Sequence, residues 1–560
     1  MRKIFTFLVF SLITLISFSQ VAPNKYWVKF TDKNDSPYSI NNPGEFLSQR
    51  ALDRRTAQGI AIYENDLPVN PAYVQGVSDE GAVILNTSKW FNSVTVYTTS
   101  SSVINAINAL PYVLSVEKAG ILNPSGTEGS VKPFFENETF NAIAEGDLLK
   151  SGTSGNSYNY GQAFNQIDML NGIPLHDMGY DGAGMLIAVL DAGFLNVNSL
   201  TVFDSLWAND QILATRDFVD PLNPDIFNSH THGCMVLSTM GGNLPGQLVG
   251  TAPKASYMLL RTEDGGSEYL VEELNWVSGA EFADSLGADV INSSLGYTTF
   301  DDPGQDHSYN DMDGNTTPIT IGADIAASKG ILVCNSAGNS GGGSWQYIGA
   351  PADGDSVFSI GAVDGNGNYA SFSSTGPTAD GRLKPNVVAQ GQSSTVIDPY
   401  GGNVSSASGT SFSSPITAGM VACLWQANPE KNNVEIMEAV QESGSIAGNP
   451  TSQLGYGIPD YSLANSLLTV IDNKVKDDMN VLVYPNPFND ELFISIKEGS
   501  DKISSIELFD LTGKSIISQK VQGSLGNVIK LDGSEILDAG FYFLQVTING
   551  KVVTQKVIKE

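Results

Sequence analysis

Met185-Leu186-Ile187-Ala188-Val189-Leu190, closed by Asp191-Ala192-Gly193, is the run that decides the fold. Six consecutive apolar residues with no polar alternation read as a strand buried on both faces, the habit of a parallel sheet. Working outward, Ala288-Asp289-Val290-Ile291-Asn292, Gly330-Ile331-Leu332-Val333-Cys334 and Val357-Phe358-Ser359-Ile360-Gly361-Ala362-Val363 have the same character. Helical stretches at 268–286 and 321–328 separate several of these runs. The rhythm from about 161 to 468 predicts an α/β domain with a doubly wound parallel sheet. Functional residues in such sheets gather at the C-terminal ends of strands, where Asp191 falls.

An aspartate at a strand end is more often structural than catalytic, so partners decide its meaning. Gly409-Thr410-Ser411-Phe412-Ser413-Ser414-Pro415 leads into Ile416-Thr417-Ala418-Gly419-Met420-Val421-Ala422-Cys423-Leu424-Trp425, apolar around most of a helix and therefore buried. A serine in the first turn of such a helix lies among backbone N–H groups that lack helical partners. It is either a cap or a nucleophile whose developing negative charge those groups stabilise. Pro415 is expected in that first turn, where its missing N–H costs little.

Two of the four histidines lie in Ser229-His230-Thr231-His232-Gly233-Cys234-Met235-Val236, ahead of a small-residue helix at 236–240. A histidine at a helix start is placed to act as a general base. Ser336-Ala337-Gly338-Asn339-Ser340-Gly341 follows another strand and puts an amide in a tight turn, where its NH2 can meet an oxyanion. A serine hydroxyl is a poor nucleophile until a histidine takes its proton and a carboxylate orients that histidine. Asp191, His232, Asn339 and Ser411 supply each role once.

On these motifs the middle of the chain resembles the subtilisin-like serine proteases, the peptidase S8 family. Ile187-Ala188-Val189-Leu190-Asp191-Ala192-Gly193 resembles that family's Asp motif, Gly409 to Pro415 its Ser motif and Ala337-Gly338-Asn339 its oxyanion motif. Gly250-Thr251-Ala252-Pro253-Lys254-Ala255 and Asn292-Ser293-Ser294-Leu295-Gly296 are similar to a strand-leading segment and to the substrate-binding edge. The resemblance implies that the backbone around Ser294, Leu295 and Gly296, together with Ala337, Gly338 and Asn339, pairs with an extended peptide and flanks the pocket beside the cut bond. The His motif departs from the usual His-Gly-Thr-His-Val-Ala-Gly. His230 and His232 compete for the base, and the His232 register keeps Gly233, Val236 and the downstream glycines in step. Cys234 beside that base is reminiscent of thiol-sensitive members.

The flanks gain meaning from the same resemblance. Residues 1–20, with Arg2 and Lys3 before an apolar run, read as a signal peptide. Residues 21–120 read as α+β and resemble an inhibitory propeptide. Residues 121–160, rich in Gly, Ser, Asn and Glu, read as a linker with a processing site. The catalytic domain spans 161–470, a hinge 471–480, and 481–560 reads as an all-β sandwich. Val483-Tyr484-Pro485-Asn486-Pro487-Phe488, Leu508-Phe509-Asp510-Leu511-Thr512-Gly513-Lys514 and Leu537-Asp538-Ala539-Gly540-Phe541-Tyr542-Phe543 resemble the C-terminal sorting domain of the type IX secretion system. That implies export through the periplasm and outer membrane to the medium or cell surface, with that machinery as partner.

Composition is compatible with this reading. The 560 residues include 60 acidic and 29 basic, a net charge of −31, which argues against nucleic-acid or anionic-membrane partners. Past the leader no apolar run approaches the roughly 20 residues of a transmembrane anchor. Three cysteines imply no disulfide framework; buried free thiols are expected, with one bridge left open. No cofactor is required. Asp311-Met312-Asp313-Gly314-Asn315 begins like a calcium loop but lacks the closing Glu, so a structural calcium stays open. The expected activity is a secreted serine endopeptidase working on proteins or peptides through an acyl-enzyme. The alternative is a subtilisin-fold binding protein without catalysis. An esterase is disfavoured, because Ser411 lacks a Gly-x-Ser-x-Gly elbow.

Overall fold

A computed structural model describes residues 24–120, 139–142 and 158–471, and in the tail 481–484, 486, 488–496, 503–510, 513–521, 528–548 and 551–559. The signal peptide, most of the linker, hinge residues 472–480 and tail-motif residues Pro485, Pro487, Leu511 and Thr512 lie outside the described residues. The chain forms two compact units, Met1–Asn465 and Ser466–Glu560.

The first unit opens with an antiparallel sheet ordered β2-β3-β1-β4, from β1 (Lys25–Phe30), β2 (Val83–Ser88), β3 (Ser93–Tyr97) and β4 (Val113–Lys118). Helices α1 (Gln49–Ala57), α2 (Pro71–Asp79) and α3 (Ser101–Asn108) accompany it. The pattern 45–55 predicts one helix. In the structure Pro43–Glu45 closes its own 3-10 turn, and α1 starts later because the Ser48 side chain accepts from the Ala51 amide. Strand β5 (Thr139–Ala142), in a segment read as linker, pairs antiparallel with β16 (Val404–Ser408).

The central sheet has seven parallel strands. They are β6 (Leu186–Asp191), β7 (Ile212–Asp217), β10 (Ser256–Arg261), β11 (Val290–Ser293), β12 (Leu332–Ser336), β13 (Val357–Val363) and β14 (Val387–Gln390). Short ribbons β8 (Asn243–Leu244) with β9 (Leu248–Val249), and β15 (Ser394–Ile397) with β16, stand outside it. The order is β14-β13-β12-β11-β6-β10-β7, so β6 lies where the winding reverses, between β10 and β11. A crevice opens there at the strands' C-terminal ends.

The unit's further helices are α4 (Phe164–Asp168), α5 (Ile173–Asp177), α6 (Asp204–Ala208), α7 (His232–Gly241), α8 (Val271–Leu286), α9 (Pro318–Ser328), α10 (Thr410–Ala427) and α11 (Asn433–Glu442), and α12 (Tyr461–Ile471) begins in this unit and ends in the next. Leu186, Ala188 and Leu190 share a core with Trp276, Val277 and Ala280 of α8 and with Ile319 and Ala323 of α9. Strand parity then turns Ile187, Val189 and Asp191 to the opposite face, the side of α7 and α10.

The N-terminal sheet docks on α8 through buried charge. Glu281 accepts from Ser88 Oγ at 2.5 Å and from the amides of Lys89 at 2.7 Å and Trp90 at 3.0 Å. Asp284 accepts from Arg54 at 2.6 Å, Arg55 at 2.9 Å and Lys89 at 2.8 Å. Burial alone would raise the Asp284 carboxyl, yet Lys89, Arg54 and Arg55 together hold it at about 2. Glu281 has no such cluster, and burial pushes its carboxyl up.

The second unit holds β17 (Val481–Tyr484), β18 (Phe493–Ile496) and β21 (Val528–Lys530) in one sheet, and β20 (Ser515–Lys520), β19 (Ile503–Phe509), β22 (Gly540–Ile548) and β23 (Lys551–Lys559) in another. Ile494, Ile506, Leu508, Leu544, Val546 and Val557 form their common core. Cys234, Cys334 and Cys423 are free and buried. Among the described residues no helix is long and apolar enough to cross a membrane.

Candidate active site

Asp191 ends β6 fully buried, with Oδ1 2.8 Å and Oδ2 3.0 Å from His232 Nδ1. The Ala192 amide donates to Oδ1 at 2.7 Å and fixes the carboxylate plane. His232 is the first residue of α7, four positions earlier than the helix expected from its small residues. The following glycine explains how it gets there. The Gly233 amide donates to Gly193 O at 3.0 Å. A Cβ at 233 would stand 2.5 Å from that oxygen and 3.0 Å from Asp191 Cβ. Only glycine lets the helix start lie against the end of β6.

Of the two candidate bases, the structure brings His232 to Asp191. His230 serves the loop: its Nδ1 accepts from the His232 amide at 3.2 Å, and its ring edge lies over Gly265. Cys234, buried one turn into α7, has its thiol pushed up by burial.

Ser411 lies fully buried in the first turn of α10, after the N-cap Gly409. The ring of Phe412 sits 6.0 Å from that of His232, which puts the start of α10 beside the histidine. Pro415 is the sixth residue of α10 and so lies inside the helix, contrary to the first-turn position expected. Proline has no N–H for the carbonyl four residues back, which is that of Ser411. The Ser294 hydroxyl donates to that carbonyl at 2.9 Å in its place. Asn292 ties the arrangement together, donating from Nδ2 to Ser294 Oγ at 3.2 Å and accepting from Ser414 Oγ at 3.1 Å.

Asn339 follows β12, and its amide oxygen is held by Thr410. It accepts from the Thr410 amide at 2.8 Å and from Thr410 Oγ1 at 2.9 Å, while Oγ1 accepts from the Gly338 amide at 3.1 Å. With Oδ1 committed, the Nδ2 donor is directed to the other side of the carboxamide. Thr410 is thus a site residue that the catalytic reading passed over, although it stands inside the serine motif.

Gly296, Ala337 and Gly338 line a narrow pocket together with Trp345, Tyr347 and Glu268. The Ser294 and Leu295 side chains are buried away from it, the first on Ser411 and the second in the core. Leu295 O already accepts from Asn335 Nδ2 at 3.0 Å. Glu268, near the start of α8, carried no signal in the sequence, since its approach to β11 and β12 is made only by folding. Asp311 and Asp313 bond their own turns, Asp311 through the Ser308 amide at 2.7 Å and Asp313 through the Asn315 amide at 2.9 Å. Among the described residues, Glu263, Glu268 and Glu272 are the three buried carboxylates whose oxygens lie within 4.8 Å of one another and could hold a metal ion.

Known families match three stretches of the chain. Residues 182–458 match the model of the subtilase family, peptidase S8. Residues 25–132 match the peptidase S8 propeptide domain of Bacteroidota, and residues 482–560 the secretion system C-terminal sorting domain. Subtilisin E of Bacillus subtilis (strain 168) is 30% identical over 288 residues, 50% of this chain and 66% of that protein, just under two thirds of its length. Subtilisin of Bacillus pumilus is 29% identical over 288 residues, 50% of this chain and 92% of that protein. Among solved structures, MycP1 from Mycobacterium smegmatis is 19% identical and covers 58% of this chain and 87% of its own, with a TM-score of 0.44.

Proposed function

From a chain that carries a subtilase-family peptidase S8 domain between an S8 propeptide domain and a secretion-system sorting domain, we propose a secreted serine endopeptidase made as a zymogen. The observation that carries this reading is the Asp191 carboxylate on His232 Nδ1 beside the first turn of α10, where Ser411 stands. With Nδ1–H donated to Asp191, the neutral imidazole has Nε2 as its base. That nitrogen takes the Ser411 proton as Oγ attacks the scissile carbonyl carbon. The oxyanion accepts from the Ser411 amide and from Asn339 Nδ2, both held in place before reaction. The imidazolium then protonates the leaving amine, and water repeats the cycle on the acyl-enzyme. The sorting domain supports delivery through the type IX machinery, and protein or peptide chains are the substrates.

Ser411→Ala tests this. The variant should lose casein hydrolysis, fluorophosphonate labelling and release of the N-terminal domain together. Casein cleavage at the parent rate by that variant, or a wild-type chain inert to the fluorophosphonate, would sink the reading.

A further inference from the structure

We propose that the pocket beside Asn339 takes a lysine or arginine side chain, and that Glu268 is the residue that selects it. The proposal rests on the endopeptidase reading and names its substrate class. Position comes first. Ala337 and Gly338 line the pocket immediately before Asn339, whose amide oxygen is bound to Thr410, the neighbour of Ser411. A side chain entering there belongs to the residue whose carbonyl Ser411 attacks. Shape comes second. The pocket encloses an empty volume of about 380 Å³, its mouth included. It stays open through Gly349, where a Cβ would stand 3.1 Å from Thr298 Cγ2.

Chemistry comes third. Trp345 and Tyr347 offer aromatic surface to a methylene stem and to a cation. Among the described residues Glu268 is the one carboxylate that lines the wall, with no lysine or arginine there, and carboxylate oxygens of Glu263 and Glu272 lie within 4.8 Å of its own. Its backbone is pinned on both sides: its amide donates to Asp301 Oδ2 at 3.1 Å, and its carbonyl accepts from the Asp301 amide at 2.9 Å. Glu268 is 5% exposed, so a contact with its carboxyl group would be made in a poorly solvated wall rather than in bulk water. Nothing in the triad chemistry uses it. An ammonium or guanidinium at the end of a slim stem is the group that this wall satisfies.

The test compares peptide anilides that differ only in the residue before the cut bond, Arg, Lys, Leu or Phe, with the mature enzyme in EDTA. The expected result is kcat/KM favouring Arg and Lys, with Glu268→Gln cutting that preference by about 10–100-fold while Leu and Phe peptides change little. A wild-type preference for Leu or Phe, or a ratio unmoved in Glu268→Gln, overturns the proposal. If the variant fails to mature, the cut sites of the wild type in casein decide, cleavage after Lys and Arg supporting the assignment and cleavage after apolar residues refuting it. Casein hydrolysis without the basic preference sinks this inference alone, whereas a wild type that cuts no casein sinks the endopeptidase reading beneath it.

Discussion

Ser294→Ala removes the hydroxyl that donates to the Ser411 carbonyl at 2.9 Å, and Pro415 offers no N–H to take over. Both residues are fully buried, so water does not step in. Losing a hydrogen-bond donor to a buried carbonyl costs about 1–3 kcal/mol. If that cost falls on the positioning of Ser411 in the transition state, kcat drops by about 5–150-fold. KM for peptides should change little, because the Ser294 side chain does not line the pocket. A second change separates this account from general damage. Pro415→Ala supplies an N–H at the helical position facing the same carbonyl, so Ser294→Ala/Pro415→Ala should recover most of the loss. Pro415→Ala alone should be close to neutral in activity. Stability is best followed in a Ser411→Ala background, where self-cleavage is absent and the Ser411 carbonyl remains. A double-mutant cycle should give a coupling of at least about 1 kcal/mol. Additive effects, with the double variant as impaired as Ser294→Ala, would refute the idea that Ser294 replaces the missing helical donor.

Asn339→Ala should lower kcat by about 10²–10³-fold with peptide binding retained. Thr410→Val, which frees the Asn339 oxygen from its hydroxyl partner, should show a smaller loss of the same kind in steady-state kinetics. Asp284→Asn takes from Arg54 the carboxylate it is bonded to and leaves Arg55 with Asp66 alone, and should weaken docking of the N-terminal domain by about 3–5 kcal/mol, read as a lower unfolding midpoint of the Ser411→Ala chain. Because the Asp284 carboxyl is held down at about 2, its stabilisation is complete above the ordinary carboxylate range near 4 and is lost as pH falls through about 2; acid unfolding of the same chain should show that window, and Asp284→Asn should flatten it. Cys234, buried with its thiol pushed up, should resist iodoacetamide at pH 8 in the folded protein and react only after unfolding; rapid native labelling seen by peptide mapping would contradict the burial.

What could be read from the sequence was whatever its neighbours along the chain determine. The strand run ending at Asp191 needs only six apolar residues to declare itself, and parity along β6 already implies that Asp191 and Leu190 face opposite sides. The helix at 410–427 was equally plain in its apolar body, but its start was not. Pro415 suggested a first turn, whereas α10 begins at Thr410, because a donor from β11's C-terminal end satisfies the carbonyl that proline abandons. The start of α7 was hidden for a similar reason: His232 and Gly233 are poor helix formers, and the helix begins there only because the Asp191 strand end receives it. Charges on α1 and α8 such as Arg54, Arg55, Glu281 and Asp284 look like solvated faces in sequence, yet Arg54 and Arg55 are buried against Asp284 and Glu281 against Ser88 and the Lys89 and Trp90 amides, and no single-helix pattern carries that information. The histidine register shows the same division at one residue. Spacing to downstream glycines favours His232, but the physical reason is steric: a residue with a Cβ at 233 would hold the helix off Asp191. Gly233→Ala should therefore lengthen the His232–Asp191 contact and depress kcat, while the same change at Gly266, whose Cβ would have its nearest neighbour at 3.7 Å, should leave kcat near the parent value. Equal kinetics in the two variants would mean that close approach does not set the register.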